Sequence, residues 1–307
     1  MILKYRYEPE ELKLLQCLHG RMRLSPKDYS LFLNLEKGFS GEKKFDELLE
    51  HSPEEWIILN DLLFDYSNTL FQIDSLLFTG GCIYLFEVKN YEGDFYIEQN
   101  RWYTVPANTE VKNPLLQLQR SESLLRRLLQ KLGVETPLKA LLIFINPEFQ
   151  LYQATMNLPA IFPAQINRFI DKLKLKSQPA NKNHLMLADK LLSLHLEDIP
   201  YGRRFEYTFE GLEKGVKCAS CQHFMDRLHR AALVCKNCGY KEDVELAIVR
   251  SVKEFRVMFP DMMLTTNIVH EWCSDIISKK KSGKSYQTTL IISFMARLLT
   301  LNKTQLC

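Results

Sequence analysis

The segment FQIDSLLFTGGCIYLFEVKNY, residues 71–91, consists of two apolar runs separated by a pair of glycines. Gly80-Gly81 is typical of a two-residue turn, because glycine tolerates positive φ at both positions. The segment therefore predicts a β-hairpin in which Thr79 pairs with Cys82.

Both predicted strands carry polar side chains at matching positions. In this register Asp74 lies directly across from Glu87, and Gln72 lies across from Lys89 two residues further out. Because side chains alternate along a strand, all four are expected on one face of the sheet. Two opposed carboxylates repel each other, so a cation is expected between them.

Two cations are candidates: the Lys89 ammonium, in a purely structural ion pair, and a divalent metal ion. Oxygen ligands at the rim of a sheet suit Mg²⁺ or Mn²⁺, which keep several waters and accept phosphate oxygens. A nearby lysine can then stabilise charge that develops on phosphorus. The metal hypothesis explains more of the pattern.

The flanking sequence predicts an α/β domain around the hairpin. In SGEKKFDELLEH, Ser40 is a candidate helix cap, and Glu42 falls at the edge of the apolar face formed by Phe45 and Leu49. On spacing alone, Glu42 is equally well explained as a partner of the helix dipole.

Further elements follow in an order that predicts a mixed sheet. WIILND is a strand candidate, and DFYIEQNRWY is a candidate strand pair. A helix is expected after Asn113 as its cap, with Pro114 in the first position and Gly133 as its stop. The apolar run LKALLIFIN predicts a strand covered on both sides, and the strand, helix, strand order with a long crossover implies a mixed sheet and α/β architecture.

The ordered motifs SGEKKFDELL, FQIDSLLF, LFEVKNYEGDFYI, RWY and NPLLQLQR resemble the nuclease-related domain, NERD, of the PD-(D/E)xK nuclease superfamily. The resemblance covers about residues 37–150. It implies a restriction-endonuclease-like mixed sheet flanked by helices. One departure from the superfamily signature is Ile73 before Asp74 in place of proline, which NERD members generally share.

The resemblance also implies an active site that hydrolyses phosphodiester bonds with Mg²⁺ or Mn²⁺. Asp74 and Glu87 would bind the metal, and Lys89 would be the catalytic lysine. Glu42 would be an auxiliary acidic ligand, and Gln72 and Gln117 would be supporting polar residues. The sequence is equally compatible with one or two metal ions.

Four cysteines predict a zinc site near residue 230. Two CxxC pairs separated by 13 residues present Cys218, Cys221, Cys235 and Cys238 to one tetrahedral Zn²⁺. Four thiolates leave no open position, so the zinc is expected to be structural. His223 and His229 are alternative ligands but are expected to be surface residues.

The C-terminal third is the basic part of the chain. Residues 216–307 hold 14 Lys/Arg against 8 Asp/Glu, whereas the whole chain has a net charge of +3. Basic neighbours of the cysteines suggest phosphate contacts; these are Lys217, Arg227, Arg230, Lys236 and Lys241. A zinc ribbon binds a protein partner about as readily as DNA.

The last 65 residues predict helices. LTTNIVHEWC and SYQTTLIISFMARLL, joined by a linker that contains Lys279–Lys281 and Lys284, are similar to a helix-turn-helix, and a plain bundle is the alternative. Trp272 and Phe294 are expected in the core of this module.

The composition, 46% hydrophobic and 25% charged residues, is that of a folded chain rather than a disordered one. No export signal or long apolar run is evident, so a cytoplasmic protein without membrane association is expected. The predicted organisation is a helical arm (1–36), a nuclease-related domain (37–150), a helical linker region (151–215), a zinc ribbon (216–242) and a helical module (243–307).

The function that these patterns predict is a metal-dependent nuclease, acting on DNA, with a zinc-stapled tail that aids substrate or partner binding. Two alternatives remain: a catalytically silent nucleic-acid-binding protein and a protein-interaction module. The sequence gives no oligomeric state.

Overall fold

A computed structural model describes residues 1–197, 203–229 and 232–274. The chain forms two compact units, and each is assembled from separate stretches. The first unit comprises Met1–Glu8 and Leu33–Gly202, and the second comprises Pro9–Phe32 and Arg203–Cys307.

A six-stranded mixed sheet organises the first unit. Its strands are β1 (Ile2–Lys4), β2 (Ile57–Tyr66), β3 (Thr69–Thr79), β4 (Cys82–Lys89), β8 (Leu138–Phe144) and β10 (Ala160–Ile161), in the order β1-β2-β3-β4-β8-β10. The β2-β3 and β3-β4 pairs are antiparallel, and the β1-β2, β4-β8 and β8-β10 pairs are parallel. The predicted mixed α/β fold is confirmed.

A second, four-stranded sheet follows the hairpin in sequence. Its strands are β5 (Gly93–Glu98), β6 (Arg101–Thr104), β7 (Glu110–Val111) and β9 (Phe149–Tyr152), in the order β7-β6-β5-β9. The strand pair predicted in DFYIEQNRWY is the antiparallel β5-β6 pair.

Helices cover both faces of the large sheet. They are α2 (Pro26–Glu50), α3 (Pro114–Lys131), α4 (Ile166–Lys176) and α5 (Lys182–Leu194), with a short 3-10 helix at Pro163–Gln165. Apolar residues of α3 and α5 belong to one core cluster, and those of α2 and α4 belong to another. Because the sheet is buried on both sides, its central strands are nearly continuous apolar runs.

The crossover from β4 to β8 forms as the sequence predicts. The Asn113 side chain accepts a hydrogen bond from the Leu115 amide at the start of α3, and Pro114 occupies the first turn. Gly133, just after the helix, has φ +73°, a conformation that favours glycine.

The N-terminal residues do not form a separate helical arm. Residues 2–4 add an edge strand to the large sheet, whereas α1 (Glu10–His19) belongs to the second unit. The boundary expected at residue 37 falls inside α2, and so does Ser40, which is therefore not a helix cap. The helix continues through Ser40 because Phe45 and Leu49 share one buried face with the sheet.

The predicted hairpin register is found from Thr79–Cys82 to Ser75–Phe86. Neither turn glycine has φ in the left-handed region, so the reason for glycine is different from the one expected. At Gly80 the reason is space, since a Cβ would lie 2.5 Å from the Pro179 carbonyl oxygen. The Gly80 amide donates to the Gln178 carbonyl at 2.7 Å.

Side-chain alternation reverses near Asp74, contrary to the one-face prediction. Ile73 packs into the same core cluster as Leu76, although three positions separate them. The pairs Asn60–Ser75 and Leu62–Ile73 bracket Asp61 and Asp74, which do not pair as ladder residues. Asp61 has φ +53°, so the regular pleat breaks here on β2 opposite Asp74.

The second unit is built on α1 with β11 (Asp226–His229), β12 (Ala232–Val234), β13 (Lys241–Asp243), α6 (Val244–Met258) and α7 (Thr266–Trp272). Trp272 is 1% exposed in its core, as predicted. The lysines of the proposed helix-turn-helix linker, its second helix and Phe294 lie outside the described residues. In the described part of the chain, no helix has both the length and the hydrophobicity needed to cross a bilayer.

A buried ion network joins three segments of this unit. Glu254 lies 2.9 Å from Arg21 and 2.8 Å from Lys217, and both cationic side chains are at most 3% exposed. Burial alone would raise the pKa of Glu254, but Arg21 and Lys217 hold it below its ordinary value. The Arg21 guanidinium also lies 3.8 Å from the Trp272 ring centroid.

We expect Glu254→Ala to lower the free energy of unfolding of the second unit by about 4 kcal/mol, because it leaves two buried cations without their counterion. The matched control is Glu10→Ala, which removes an exposed ion pair with Lys13 and should cost less than about 1 kcal/mol. Urea unfolding with zinc present measures both, and equal losses would contradict this account.

Candidate active site

The predicted catalytic carboxylates lie at the end of the hairpin remote from the Gly80-Gly81 turn. Glu87 and Lys89 are on β4 and Asp74 is on β3, directly after the last regular ladder pair. Asp74 is 6% exposed and Glu87 is 1% exposed. Charged groups buried to this extent need compensating partners.

Lys89 is the partner of Glu87. Its ammonium nitrogen lies 2.7 Å from Glu87 Oε1 and donates to Gln117 Oε1 at 3.0 Å. Residue 117 lies on α3, so the crossover helix orients the lysine. The other oxygen, Glu87 Oε2, is buried and has no hydrogen-bond partner.

The Asp74 carboxylate replaces a main-chain hydrogen-bond acceptor between β3 and β4. Its Oδ2 accepts the Val88 amide at 2.7 Å, so a side chain replaces the main-chain partner at this point. The predicted rungs Asp74–Glu87 and Gln72–Lys89 lie beyond the paired segment of β3 and β4. The hairpin brings Asp74 and Glu87 together without strict cross-strand pairing.

Arg6 supplies a second cation, which no pattern in the sequence indicates. Its guanidinium bonds Glu42 at 2.6 Å and Asp46 at 2.8 and 3.2 Å, and it donates to the Asp74 carbonyl at 2.6 Å. The side chain is 3% exposed, whereas that of Glu42 is 23% exposed. The segment after β1 thus neutralises acids on α2.

Burial raises the pKa of all three candidate acids. The pKa of Glu87 is raised to about 7, first by burial and then by the charge of Asp74. The pKa of Glu42 is raised to about 8 by burial and by Asp74, against the effect of Arg6. Burial also raises the pKa of Asp74, and Lys89 opposes this shift.

The pKa of Lys89 moves in the direction that keeps the lysine charged. Burial would lower it, but Glu87 and Asp74 together raise it above the ordinary value of a lysine. Lys89 is therefore an ammonium cation at neutral pH, suited to stabilising negative charge rather than to accepting a proton.

Gln72 lies apart from the lysine. It is exposed, and its amide donates to Asp61 Oδ1 at 2.8 Å. The break in alternation at Asp61 and Asp74 explains this placement, because it reverses the face on which residue 72 lies. Gln117, by contrast, contacts Lys89 directly.

Sequence reasoning missed three charged residues near the site: Arg6, Asp46 and Asp61. Asp46 had a usable signal, because it lies one helical turn after Glu42 on the same helix. Arg6 and Asp61 had none, because one comes from a distant segment and the other depends on the local break in β2.

The carboxylates fit a divalent cation that takes few protein ligands. The partnerless Glu87 Oε2 is a buried anionic oxygen available for coordination, and the Asp74 carboxylate lies on the neighbouring strand. Mg²⁺ and Mn²⁺ accept one or two carboxylates together with waters and phosphate oxygens. Among the described residues, Glu42, Asp74 and Glu87 do not form a compact group of three ligands.

The cysteine quartet forms such a compact group. The sulfur atoms of Cys218, Cys221, Cys235 and Cys238 all lie within 4.8 Å of one another. The Cys218–Cys238 and Cys221–Cys235 distances are 3.7 and 3.4 Å. Tetrahedral zinc with Zn–S bonds near 2.3 Å requires sulfurs ~3.8 Å apart, so the group can hold zinc.

Two equivalent knuckles present these sulfurs. In each, the first cysteine amide donates to the carbonyl five residues later and its own carbonyl accepts the amide four residues later. The residues whose amides donate to the two cysteine carbonyls are Gln222 and Gly239. They occupy corresponding positions in the knuckles, with φ of +61° and +75°. His223 and His229 are exposed and lie outside the compact group.

The basic residues near the cysteines differ in availability. Lys217 is 3% exposed and paired with Glu254, so the predicted phosphate contact of this residue is wrong. Arg227, Lys236 and Lys241 are exposed, although Arg227 donates to the His229 carbonyl at 3.3 Å and Lys236 lies 3.1 Å from Asp226. Arg230 lies outside the described residues.

Comparison with known proteins supports the resemblance for part of the chain. Residues 37–145 match the family model of the nuclease-related domain, NERD. No curated protein and no solved structure matches the chain. The matched stretch includes Glu42, Asp74, Glu87 and Lys89, whereas Arg6 lies outside it. The chain thus carries a nuclease-related domain at residues 37–145, together with a cysteine cluster able to hold zinc.

Proposed function

We propose that the first unit is a nuclease that hydrolyses phosphodiester bonds, with DNA as its substrate, and that it requires Mg²⁺ or Mn²⁺. The observation that carries the proposal is the Glu87 carboxylate, which is 1% exposed and has one oxygen on Lys89 and the other without a partner. A buried anion with a free oxygen is costly unless a cation binds it.

Asp74 and Glu87 would hold the divalent cation from neighbouring strands. When bound, the cation would supply a Lewis acid for the phosphate and lower the pKa of a coordinated water. The Val88 amide fixes the Asp74 carboxylate by donating to Oδ2, so this ligand is oriented before any cation arrives.

Lys89 would stabilise the negative charge that grows on the phosphate oxygens. Its ammonium stays protonated, and Gln117 and Glu87 hold it in place. Such a preorganised cation favours the transition state because it needs no reorganisation during the reaction. Glu42 and Gln72 have no direct bond to Lys89, so we assign them supporting roles.

The zinc-binding cluster would have a structural role in this function. A four-cysteine site is closed to substrate, so its zinc would stabilise the second unit rather than take part in hydrolysis. The exposed Arg227, Lys236 and Lys241 would give this unit a weak affinity for phosphates or for an acidic protein partner.

Nuclease activity should depend on Asp74 and Lys89. We expect Asp74→Ala and Lys89→Ala each to reduce cleavage of supercoiled, linear or single-stranded DNA in Mg²⁺ or Mn²⁺ by about 100-fold or more. Matched controls are Asp65→Ala and Lys44→Ala, which change exposed residues of β2 and α2. Gel assays measure the cleavage rates, and a parallel assay with an RNA substrate tests the preference for DNA.

Cleavage that survives both site substitutions would refute the assignment. No cleavage with either metal, together with a salt-dependent mobility shift of DNA, would favour a catalytically silent nucleic-acid-binding protein.

Stability should depend on pH through Glu87. Its pKa is 4.5 as a free group and about 7 in the folded protein, so between these values the folded state keeps a proton that the unfolded state releases. This group therefore destabilises the fold increasingly as pH rises through that window. Glu87→Gln removes the effect.

Without added Mg²⁺ or Mn²⁺, the melting temperature of Glu87→Gln minus that of the wild type should increase as the pH is raised from 5 to 8. Differential scanning calorimetry in matched buffers measures the difference. Glu47→Gln, an exposed change on α2, is the control. A constant difference across this range would contradict the buried, proton-binding state of Glu87.

Zinc should be present at about one ion per chain. We expect the paired change Cys218→Ser and Cys221→Ser to abolish zinc binding and to lower the melting temperature of the second unit, since two ligands cannot hold a structural site. Cys17→Ser, a thiol outside the quartet, is the control. Plasma emission spectrometry of the purified protein gives the zinc content, and unchanged zinc in the paired variant would contradict the assignment.

A further inference from the structure

Arg6 occupies one side of the carboxylate cluster with a permanent charge. Both Asp46 oxygens and Glu42 Oε2 accept hydrogen bonds from its guanidinium. An arginine side chain does not lose its proton in proteins, so the positive charge of Arg6 persists at every working pH. A forked guanidinium with two carboxylates is also a rigid arrangement.

The acids bonded to Arg6 differ from Glu87 in how their oxygens are satisfied. Both Asp46 oxygens bond Arg6, and Glu42 has one oxygen on Arg6 and a side chain that is 23% exposed and therefore open to water. Glu87 retains the partnerless Oε2, and Asp74 is held through its main-chain carbonyl and one carboxylate oxygen.

The charge balance of the cluster fits one divalent ion. Fully ionised, Glu42, Asp46, Asp74 and Glu87 carry four negative charges, and Arg6 and Lys89 carry two positive charges. The nearby Asp61 adds one negative charge, which Lys4 offsets, because its ammonium bonds the Asp61 carbonyl and interacts with the carboxylate. One Mg²⁺ or Mn²⁺ completes the neutralisation. A second divalent ion beside the guanidinium would meet a like charge in a poorly hydrated site.

We infer that Arg6 serves as a built-in cation on the Glu42 side of the cluster, so that the site takes a single divalent metal ion, on Asp74 and Glu87. Arg6 is then a positioning residue: it holds Glu42 and Asp46 away from coordination and fixes the main chain of the ligand Asp74. The role of this metal ion in hydrolysis rests on the proposed function, but the number of bound ions can be measured without turnover.

Mn²⁺ titration of the zinc-loaded, full-length protein at pH 8 tests the stoichiometry, with free Mn²⁺ followed by electron paramagnetic resonance. We expect one Mn²⁺ per chain in the wild type. Glu42→Gln should keep that ion with an affinity within about threefold, whereas Asp74→Asn and Glu87→Gln should each weaken binding by about 100-fold. The zinc content is checked for every variant.

The Arg6 variants test the positioning role directly. Arg6→Gln should release Glu42 and Asp46, which adds a second, weaker Mn²⁺ site to the titration. Arg6→Lys keeps the charge and should retain one ion, although it loses the two-pronged contact. Circular dichroism shows which variants fold, and Glu42→Gln decides the question if Arg6→Gln does not.

Two strong Mn²⁺ sites in the wild type, or a loss in Glu42→Gln equal to that in Glu87→Gln, would overturn the inference. Absence of any Mn²⁺ binding at the wild-type site would overturn both the inference and the proposed function. One bound Mn²⁺ with this pattern of variants but no cleavage would support the inference and refute only the nuclease proposal.

Discussion

The first unit depends on cations that are brought to buried acids. Asp74, Glu87 and Asp46 are almost inaccessible to water, and such groups are tolerated only when opposite charges or hydrogen bonds replace their hydration. Lys89 does this from within the hairpin, and Arg6 does it from the segment that follows the edge strand. The buried acids and their cationic partners therefore come from four parts of the first unit: the large sheet, α2, α3 and the N-terminal segment.

The break in strand alternation at Asp61 and Asp74 determines how these charges meet. A regular pleat would send Asp74 to the same face as Leu76, toward the core that α3 covers. At the break, Asp74 lies close enough to Glu42 on α2 and to Glu87 on β4 to raise the pKa of both. Lys89 on β4 in turn acts to lower the pKa of Asp74. One residue thereby connects acids that lie on the two sides of the sheet.

Local rules were sufficient for the elements whose signals are local. The hairpin register, the Asn113 cap with the crossover to β8, and the cysteine knuckles depend on apolar runs beside a two-glycine turn, capping and ligand spacing within short stretches. The positive φ expected at the turn glycines is not found, because Gly80 is required for space instead. The failures involve context. Ser40 lies inside a long helix because packing of Phe45 and Leu49 overrides a weak capping preference. Arg6 reaches Glu42 across 36 positions, and nothing in its immediate neighbours indicates that contact.

The division of the N-terminal residues bears on how the nuclease-related domain can be isolated. A fragment cut to the matched residues, 37–145, would lack the edge strand, α4, α5 and the guanidinium that faces Glu42. Its acids would meet without one of their two resident counterions and would repel each other. An inactive or insoluble excised fragment would therefore report on the missing N-terminal segment and helices, and the smaller unit whose chemistry is worth assaying restores residues 1–8 together with α4 and α5.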